Sequence, residues 1–236
     1  MSSLAQLKKE LEKISSSRQA KILQRFFKTG RGEYGEGDIF LGVKVPEQRK
    51  VASKFQKLAF KDLEKLLNSK IHEHRMTALF ILIRQYEKAD EQGKKKIFDF
   101  YLKNTKNVNN WDLVDLSAPK IVGDLLLNKP KNILYKLARS NNLWERRIAI
   151  ISTFAFIRNN EFNDTLKISK TLLSDKHDLI HKATGWMLRE VGKRNQKTEE
   201  EFLKKYHLKM PRVMLRYAIE KFEEKKRRFY LKKTVK

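Results

Sequence analysis

The sequence predicts an all-α protein. Apolar residues recur at three- and four-residue spacing in nearly every segment, beginning with Leu4, Leu7 and Leu11, and this spacing places them on one face of a helix. No stretch alternates apolar and polar residues for long enough to predict a strand with a solvated face. The chain contains only 4 prolines and 9 glycines, so few residues interrupt the helical pattern.

The N-terminal segments predict two helices, a loop and a third helix. The first helix covers about residues 4–14 and the second ends near Lys28. Glycines then cluster in GRGEYGEGD, residues 30–38, which predicts a loop. This loop follows a helix rather than a strand and carries carboxylates that would repel phosphate, so a phosphate-binding loop is disfavoured. Pro46 suits the first turn of the third helix.

A weak internal repeat follows, in which a small residue sits inside an apolar helix that begins with a basic or aromatic cluster. The repeated positions are Ala78, Ala118, Ala149, Ala183 and Ala218. Successive alanines are 40, 31, 34 and 35 residues apart. This period is typical of paired-helix solenoids of the HEAT or armadillo kind. We therefore expect one repeat domain over residues 1–236, an α-α superhelix with a concave groove, ending in a basic tail over residues 225–236.

The strong positive charge favours a polyanionic partner. Lys and Arg number 53 against 28 Asp and Glu, a net charge of +25, which points first to nucleic acid. The repeat helices carry basic residues that would line the groove if they share a face, or would solvate the outer surface if they do not: Arg75, Arg146, Arg147, Lys182, Arg189 and Arg216. The tail segment KKRRFYLKK, residues 225–233, is another basic patch, which a frayed, solvated end explains equally well.

Composition also excludes several classes. The chain has no cysteine, which excludes disulfides, thiolate zinc sites and cysteine nucleophiles. Its first residues lack the apolar core of a signal peptide, and the longest strongly apolar run, residues 78–83, is too short to cross a bilayer. We expect a cytoplasmic protein without a membrane span.

The sequence predicts neither a metal nor a cofactor. His177 and His181 are four residues apart, and His72 lies near His74, but neither pair has an obvious third ligand and no HExxH motif is present. The GxSxG elbow, the Walker lysine motif and the zinc-deaminase pattern are also absent.

One segment remains as a candidate for chemistry, NNWDLVDLSAPKIVGD. Helical spacing places Trp111 and Asp115 side by side on one stripe, which continues through Ala118 and Val122. Asp112, next to two asparagines, is most simply a helix cap or a favourable charge at the positive end of the helix dipole. Asp115 comes a turn later among apolar neighbours, where a carboxylate needs either an arginine partner or a functional role. Structure and function explain it equally well.

The three tryptophans, Trp111, Trp144 and Trp186, lie in or beside the repeat helices, and core packing is the default role for each. Two of them flanking Asp115 across a basic groove would form a notch that suits a cation in DNA. Alkylation of a purine ring nitrogen creates such a cation and weakens the bond to the sugar. A carboxylate would stabilise the oxocarbenium-like transition state and orient water, while indole faces hold the cationic nucleotide.

Four segments carry a resemblance to a known family. They are FFKTGRGEYGEGDIFLGVKVPEQRK at residues 26–50, NWDLVDLSAPKIVGD at 110–124, NNLWERRIAI at 141–150 and ATGWMLREVGK at 183–193. In these segments the sequence resembles the AlkD-like DNA alkylation repair proteins, which are HEAT-like repeat glycosylases. With the intervening helices, the resemblance covers nearly the whole chain.

The resemblance implies roles for individual residues. Asp115 matches the catalytic aspartate, Trp111 and Trp186 match the aromatic pair that cradles the sugar and backbone of the lesion, and Arg147 matches a DNA-contacting arginine. Phe26 or Phe27 stands where family members carry tyrosine, which implies that a hydroxyl contact to DNA is lost and a stacking surface kept.

The resemblance also implies an activity. Purines alkylated at N3 or N7, such as 3-methyladenine and 7-methylguanine, would be excised without a metal and without a deep pocket for the base. We therefore expect a monomeric, monofunctional glycosylase of base excision repair acting on double-stranded DNA, since no lysine is singled out as a nucleophile. A non-catalytic DNA-binding protein and a scaffold for an acidic protein partner are the alternatives.

Overall fold

The computed structural model describes residues 3–232 and confirms the all-α fold. The helices are α1 Leu4–Lys13, α2 Ser17–Phe26, α3 Val45–Lys54, α4 Phe60–Leu67, α5 His72–Lys88, α6 Glu91–Lys103, α7 Trp111–Ala118, α8 Asp124–Leu126, α9 Asn132–Leu137, α10 Leu143–Ser152, α11 Phe154–Arg158, α12 Asn163–Thr171, α13 Asp178–Arg194, α14 Gln196–Tyr206, α15 Arg212–Ala218 and α16 Glu224–Leu231. Within residues 3–232 the only β-type pairing is an isolated bridge between Ile39 and Ile71.

The helices form two compact units, one ending at Ser117 and the other beginning at Ala118. In the first unit α5 is the central helix, because every residue from His72 to Ile83 is buried and it packs against α3, α4 and α6. Side chains of Ser3 and Ser16 cap α1 and α2 by accepting backbone N–H groups. Pro46 lies in the first turn of α3, as the sequence predicts.

In the second unit α13 is the central helix and packs against α10, α14 and α15. Its apolar core includes Leu188, Met214 and Leu215, and Tyr230 of α16 belongs to the same cluster. The described part of the predicted basic tail is therefore a helix packed by Tyr230, while residues 233–236 of that tail lie outside the described chain.

The five repeated alanines are all buried, each 1% exposed or less. They lie in α5, α7, α10, α13 and α15, at positions where a larger side chain would collide with its surroundings. The small residue that marks each copy in the sequence is therefore a packing residue, and the helical repeat that its spacing predicts is present.

A second repeated feature starts three of these helices. Just before each of these helices, one residue accepts two hydrogen bonds. Its side-chain oxygen accepts the backbone N–H of the residue two positions later, and its backbone carbonyl accepts a side-chain N–H of the residue six positions later. The residues that provide this oxygen and carbonyl are Ser69, Ser140 and Asp175. The side-chain donors, at 2.8, 2.9 and 2.6 Å from the carbonyl oxygens, are Arg75, Arg146 and His181. Arg75 and Arg146, two of the recurring basic residues, thus hold the turns that begin α5 and α10, and His181 does the same for α13.

One predicted helix is interrupted. The stripe from Trp111 was expected to continue through Val122, but α7 ends at Ala118 and residues Pro119–Gly123 form a π-helical segment. Pro119 has no backbone N–H to donate to the α-helical ladder, which explains the change at this position. Val122 is nevertheless fully buried.

Gly185 provides a test of the packing in the second unit. A Cβ at this position would lie 2.4 Å from the backbone oxygen of Met214 and 2.6 Å from Cβ of Tyr217, so α13 and α15 would have to separate. We expect Gly185→Ala to lower the free energy of unfolding by about 1–3 kcal/mol, measured by urea denaturation. Lys197→Ala, at an exposed position of α14, is the control; equal stability of both variants and wild type would contradict this packing.

Candidate active site

Trp111 and Asp115 both lie on α7 and are partly exposed, whereas Leu113, Val114 and Ser117 of the same helix are buried. The side-chain oxygen of Asn110 accepts the backbone N–H of Trp111 at 2.8 Å and so holds the start of the helix. Trp111 and Asp115 therefore lie one helical turn apart on the less buried side of α7, as the spacing predicts.

Asp115 acts electrostatically on a neighbouring buried pair. The Tyr101 hydroxyl and the Ser117 hydroxyl are 2.9 Å apart. Burial raises the pKa of Tyr101, the Ser117 hydrogen bond opposes this, and the negative charge of Asp115 raises the pKa further. The charge of Asp115 therefore acts on the buried Tyr101, although Asp115 itself is only partly buried.

The rings of Phe26 and Phe27 both contact Trp111. The Phe27 ring stacks on Trp111 with centroids 5.2 Å apart, and Phe26 meets Trp111 edge-on at 5.9 Å. Phe27 is buried, but Phe26 is 60% exposed. Phe26 therefore supplies a solvent-facing aromatic surface next to Trp111, and the buried ring of Phe27 packs against the indole.

A buried network behind these rings was not predicted. The imidazole of His72 lies between two carboxylates, with Nδ1 3.2 Å from Asp38 and Nε2 2.9 Å from Asp112. Asn110 also donates to Asp38, at 3.3 Å. Asp112 does lie in the first turn of α7, as predicted, but reading it only as a cap was incomplete, because its carboxylate binds a histidine 40 residues earlier in the chain.

The two carboxylates keep His72 charged. Burial alone lowers the pKa of His72, but the charge and hydrogen bond of Asp112 and the hydrogen bond of Asp38 outweigh it and raise the pKa to about 9. For Asp38, burial acts to raise the pKa, but His72 and Arg75 outweigh it and lower the pKa. The imidazolium thereby links the segment before Ile39 to the start of α7, and so fixes the helix that carries Trp111 and Asp115.

This network predicts a pH dependence. The folded-state pKa of His72 lies above its ordinary value of 6.5, so its stabilising contribution is complete below that value and is lost as the pH rises through about 9. We expect the difference in unfolding free energy between wild type and His72→Gln to shrink by about 3 kcal/mol between about pH 6 and pH 10. Urea denaturation at each pH measures it.

Subtracting the variant matters because another buried group titrates in the same range. Burial raises the pKa of Glu199 to about 9, so the stability of wild type alone reports both groups. The wild-type minus His72→Gln difference isolates His72. A difference that is constant with pH would contradict a charged imidazole in this network.

Arg75 requires a correction. It was expected to contact DNA, but it is only 3% exposed. Its guanidinium lies 2.7 Å from Asp38 and 2.8 Å from the backbone oxygen of Ser69. The positive charge therefore compensates a buried carboxylate and does not face solvent.

In the second unit, Trp186 is partly exposed on α13. Its indole N–H donates to Glu190 at 3.1 Å, and its ring lies tilted against Phe154 with centroids 5.9 Å apart. Arg147, the predicted DNA-contacting arginine, is 5% exposed and donates to the backbone oxygen of Leu179 at 2.6 Å. One N–H group of Arg147 therefore binds the backbone within this unit, and the DNA contact of Arg147 stays a prediction.

The other predicted basic residues are less buried. Arg146 pairs with Asp175 at 2.6 Å, Lys182 pairs with Asp178 at 2.7 Å, and Arg189 contacts Glu190 and Glu220. Arg216 is exposed. Recurrence of basic residues in the sequence does not distinguish these structural contacts from a binding surface, because the residue type is the same in both.

The glycine-rich loop is held by its own carboxylates. In the glycine-rich loop the carboxylates of Glu33 and Glu36 accept the backbone N–H groups of Gly30 and Gly32, at 2.9 and 2.8 Å, so these donors bind carboxylates of the loop. Across residues 3–232 no group of three His, Cys, Asp or Glu side chains is arranged to hold a metal ion. In the same range no helix is long and apolar enough to span a bilayer.

Comparison with solved structures gives the same helical fold at low sequence identity. A protein described as a predicted DNA alkylation repair enzyme from Enterococcus faecalis matches with a TM-score of 0.71 and 17% identity, over 89% of this chain and 97% of that one. AlkD2 from Streptococcus mutans matches with a TM-score of 0.55 and 19% identity, over 94% of this chain and 97% of its own. No curated protein matches the chain significantly.

The helices define an all-α helical-repeat protein, the fold shared with these solved structures. The chain belongs to the DNA alkylation repair enzyme family, whose model matches residues 7–222. Membership supports an enzymatic role in the repair of alkylated DNA, with DNA as the partner.

Proposed function

We propose that the protein is a monofunctional DNA glycosylase that excises positively charged purines alkylated at N3 or N7. The observation that carries the proposal is the pair on α7, where a partly exposed carboxylate, Asp115, follows one turn after a partly exposed indole, Trp111. Membership of the DNA alkylation repair enzyme family and the net charge of +25 support DNA as the substrate.

The proposed reaction needs no acid from the protein. The alkylated purine already carries a positive charge, so the electron pair of the glycosidic bond moves onto the base, which leaves neutral. Positive charge develops on C1′ and the ring oxygen of the sugar, where the Asp115 carboxylate stabilises it. Water adds to C1′ and loses a proton, which leaves an abasic sugar. Asp115 orients that water and accepts or passes on the proton.

Aromatic faces hold the cationic nucleotide in this proposal. Trp111 presents an indole supported by Phe27, and Phe26 adds an exposed ring beside it. Trp186 is proposed as the second indole. The electron-rich face of an indole attracts a positively charged, methylated purine more strongly than an unmodified, neutral purine. This favours damaged over normal nucleotides.

Contacts to phosphate are proposed for the basic residues that are not buried, Arg146, Lys182, Arg189 and Arg216. Three of these already pair with carboxylates of the protein, so phosphates would compete with those carboxylates. Binding to duplex DNA is therefore expected to weaken strongly as salt concentration rises.

Release of free base tests the proposal. Duplex DNA methylated at purine ring nitrogens is incubated with the protein, and free 3-methyladenine and 7-methylguanine are measured by mass spectrometry. The proposal predicts both free bases and an abasic strand without strand cleavage by the protein. DNA binding without release would instead indicate a non-catalytic binding protein, and weak, salt-insensitive binding would indicate a scaffold for a protein partner.

A further inference from the structure

An open groove lies between α12 and α14 in the second unit. It encloses about 210 Å³, and the two helices that form its walls both pack against α13. The side chains that decide its chemistry are Leu166, Lys167, Lys170, Phe202, Lys205 and Tyr206. None of the residues proposed for base release lines this groove, so the proposed reaction leaves it unexplained.

The floor of the groove is an uncovered edge of the apolar core. Phe202 belongs to the core cluster of the second unit, and Leu166 and Tyr206 pack against that cluster while they remain partly exposed. The rings of Phe202 and Tyr206 lie 4.8 Å apart and are tilted by 49°. Apolar surface left open beside a packed core favours a ligand that covers it with an apolar group.

Three lysines surround this apolar floor. Lys167 and Lys170 come from α12 and Lys205 comes from α14, and all three are exposed. Within residues 3–232 none of these ammonium groups has an ion-pair partner. The Lys170 ammonium lies 6.0 Å from the centre of the Tyr206 ring. The charge of the three lysines is therefore available to an anionic ligand in the groove.

One carboxylate, Glu201, also lines the groove. It lies one helical turn before Lys205 on α14, a spacing at which the two side chains interact through solvent. Three ammonium groups against one carboxylate leave the rim positive, so an acidic ligand is favoured over a basic one. Removal of the Glu201 charge should therefore strengthen the binding of an acidic ligand.

The lining of the groove distinguishes a peptide from a nucleic acid. Stacking of a base requires an exposed aromatic face, but Phe202 is only 5% exposed and the Lys170 ammonium lies over the Tyr206 ring. A phosphate backbone requires cations but gains nothing from an apolar floor. A compact apolar side chain flanked by carboxylates uses both the floor and the lysines.

We propose that this groove between α12 and α14 binds an acidic segment of a partner protein. One apolar side chain of the segment covers Leu166 and the edge of Phe202, and its neighbouring carboxylates face Lys167, Lys170 and Lys205. The interaction goes beyond the proposed function and does not depend on it, because no residue proposed for base release takes part.

Titration of isotope-labelled protein with synthetic peptides tests the site by NMR. One peptide carries a single phenylalanine flanked on both sides by aspartates, and the other has serine in its place at the same charge. We expect amide shifts centred on Leu166, Thr198 and Phe202, and an affinity about tenfold higher for the phenylalanine peptide. Equal affinities for the two peptides, or no shifts at these residues, would overturn the inference.

Two neighbouring lysines of α14 provide a matched pair of variants. Lys205→Glu reverses a charge that lines the groove, and Lys204→Glu makes the same change in net charge at an exposed lysine that does not line it. We expect Lys205→Glu to weaken binding of the phenylalanine peptide by about fivefold or more, with Lys204→Glu much closer to wild type. Equal losses in the two variants would reflect only the general attraction of a basic protein, and the site would be wrong.

Glu201→Gln separates a local effect from a folding defect, because its peptide binding is expected to strengthen by about twofold. Weaker binding by this variant would contradict the proposed placement of the carboxylates. A single-stranded oligothymidine tests the other class of ligand. If it shifts the same amides at lower concentration than the phenylalanine peptide does, and Lys205→Glu but not Lys204→Glu removes the effect, the groove contacts nucleic acid and the peptide assignment is wrong.

Discussion

Replacing Asp115 by asparagine is expected to slow base release from methylated duplex DNA by about 100-fold or more. Asparagine keeps the shape of the side chain but removes the negative charge that would stabilise the cationic sugar. DNA binding is expected to stay the same or to strengthen, because a negative charge leaves a surface that meets phosphates. Single-turnover rates with all DNA bound measure the chemical step apart from binding.

A matched variant separates this local effect from a change in total charge. Asp99→Asn makes the same change on the exposed face of α6, where Asp99 pairs with Lys95. Its base release is expected to equal that of wild type. If Asp115→Asn also releases base at the wild-type rate, the carboxylate of α7 has no part in the reaction.

Glu73→Ala is expected to lower the free energy of unfolding by about 3–5 kcal/mol. The Glu73 carboxylate is fully buried and accepts the backbone N–H groups of Leu41, Gly42 and Val43 at 2.9, 2.8 and 3.2 Å. Removing it leaves three donors without their acceptor in the interior. The segment they belong to has little freedom to rearrange, because Gly42 has a φ of +81° and a Cβ at this position would lie 2.2 Å from the backbone oxygen of Ser16.

Urea denaturation measures this loss, with Glu73→Gln as the intermediate case and Glu47→Ala as the control. Glutamine retains one acceptor oxygen without the charge, so its loss should be smaller than that of alanine. Glu47 is exposed and pairs with Lys50 on the surface of α3, so its removal should change stability little. A Glu73→Ala variant as stable as Glu47→Ala would show that the carboxylate does not hold this segment.

The fold could be predicted because its signals are local. Apolar periodicity marks the helices, and the five alanines mark the positions where helices pack. Both features can be read from the sequence without knowledge of distant contacts. The break after Ala118 was missed although Pro119 stands there, since a proline can either end a helix or be accommodated in a wider turn.

The candidate site could be predicted only in part. Trp111 and Asp115 share a helix, so their neighbourhood follows from spacing alone. The histidine network depends on contacts between residues 34 and 40 positions apart, which no local pattern encodes. Arg75 shows the converse limit: a buried arginine and a phosphate-binding arginine look identical in a sequence, and only the fold reveals that Arg75 compensates a buried carboxylate.

The most direct test measures free 7-methylguanine liberated from one defined duplex by wild type and Asp115→Asn, each saturating the DNA. Liberation by wild type, and liberation slower by about two orders of magnitude in the variant, is the predicted result. Equal rates in the two proteins, or no free base from either, would contradict a catalytic carboxylate on α7.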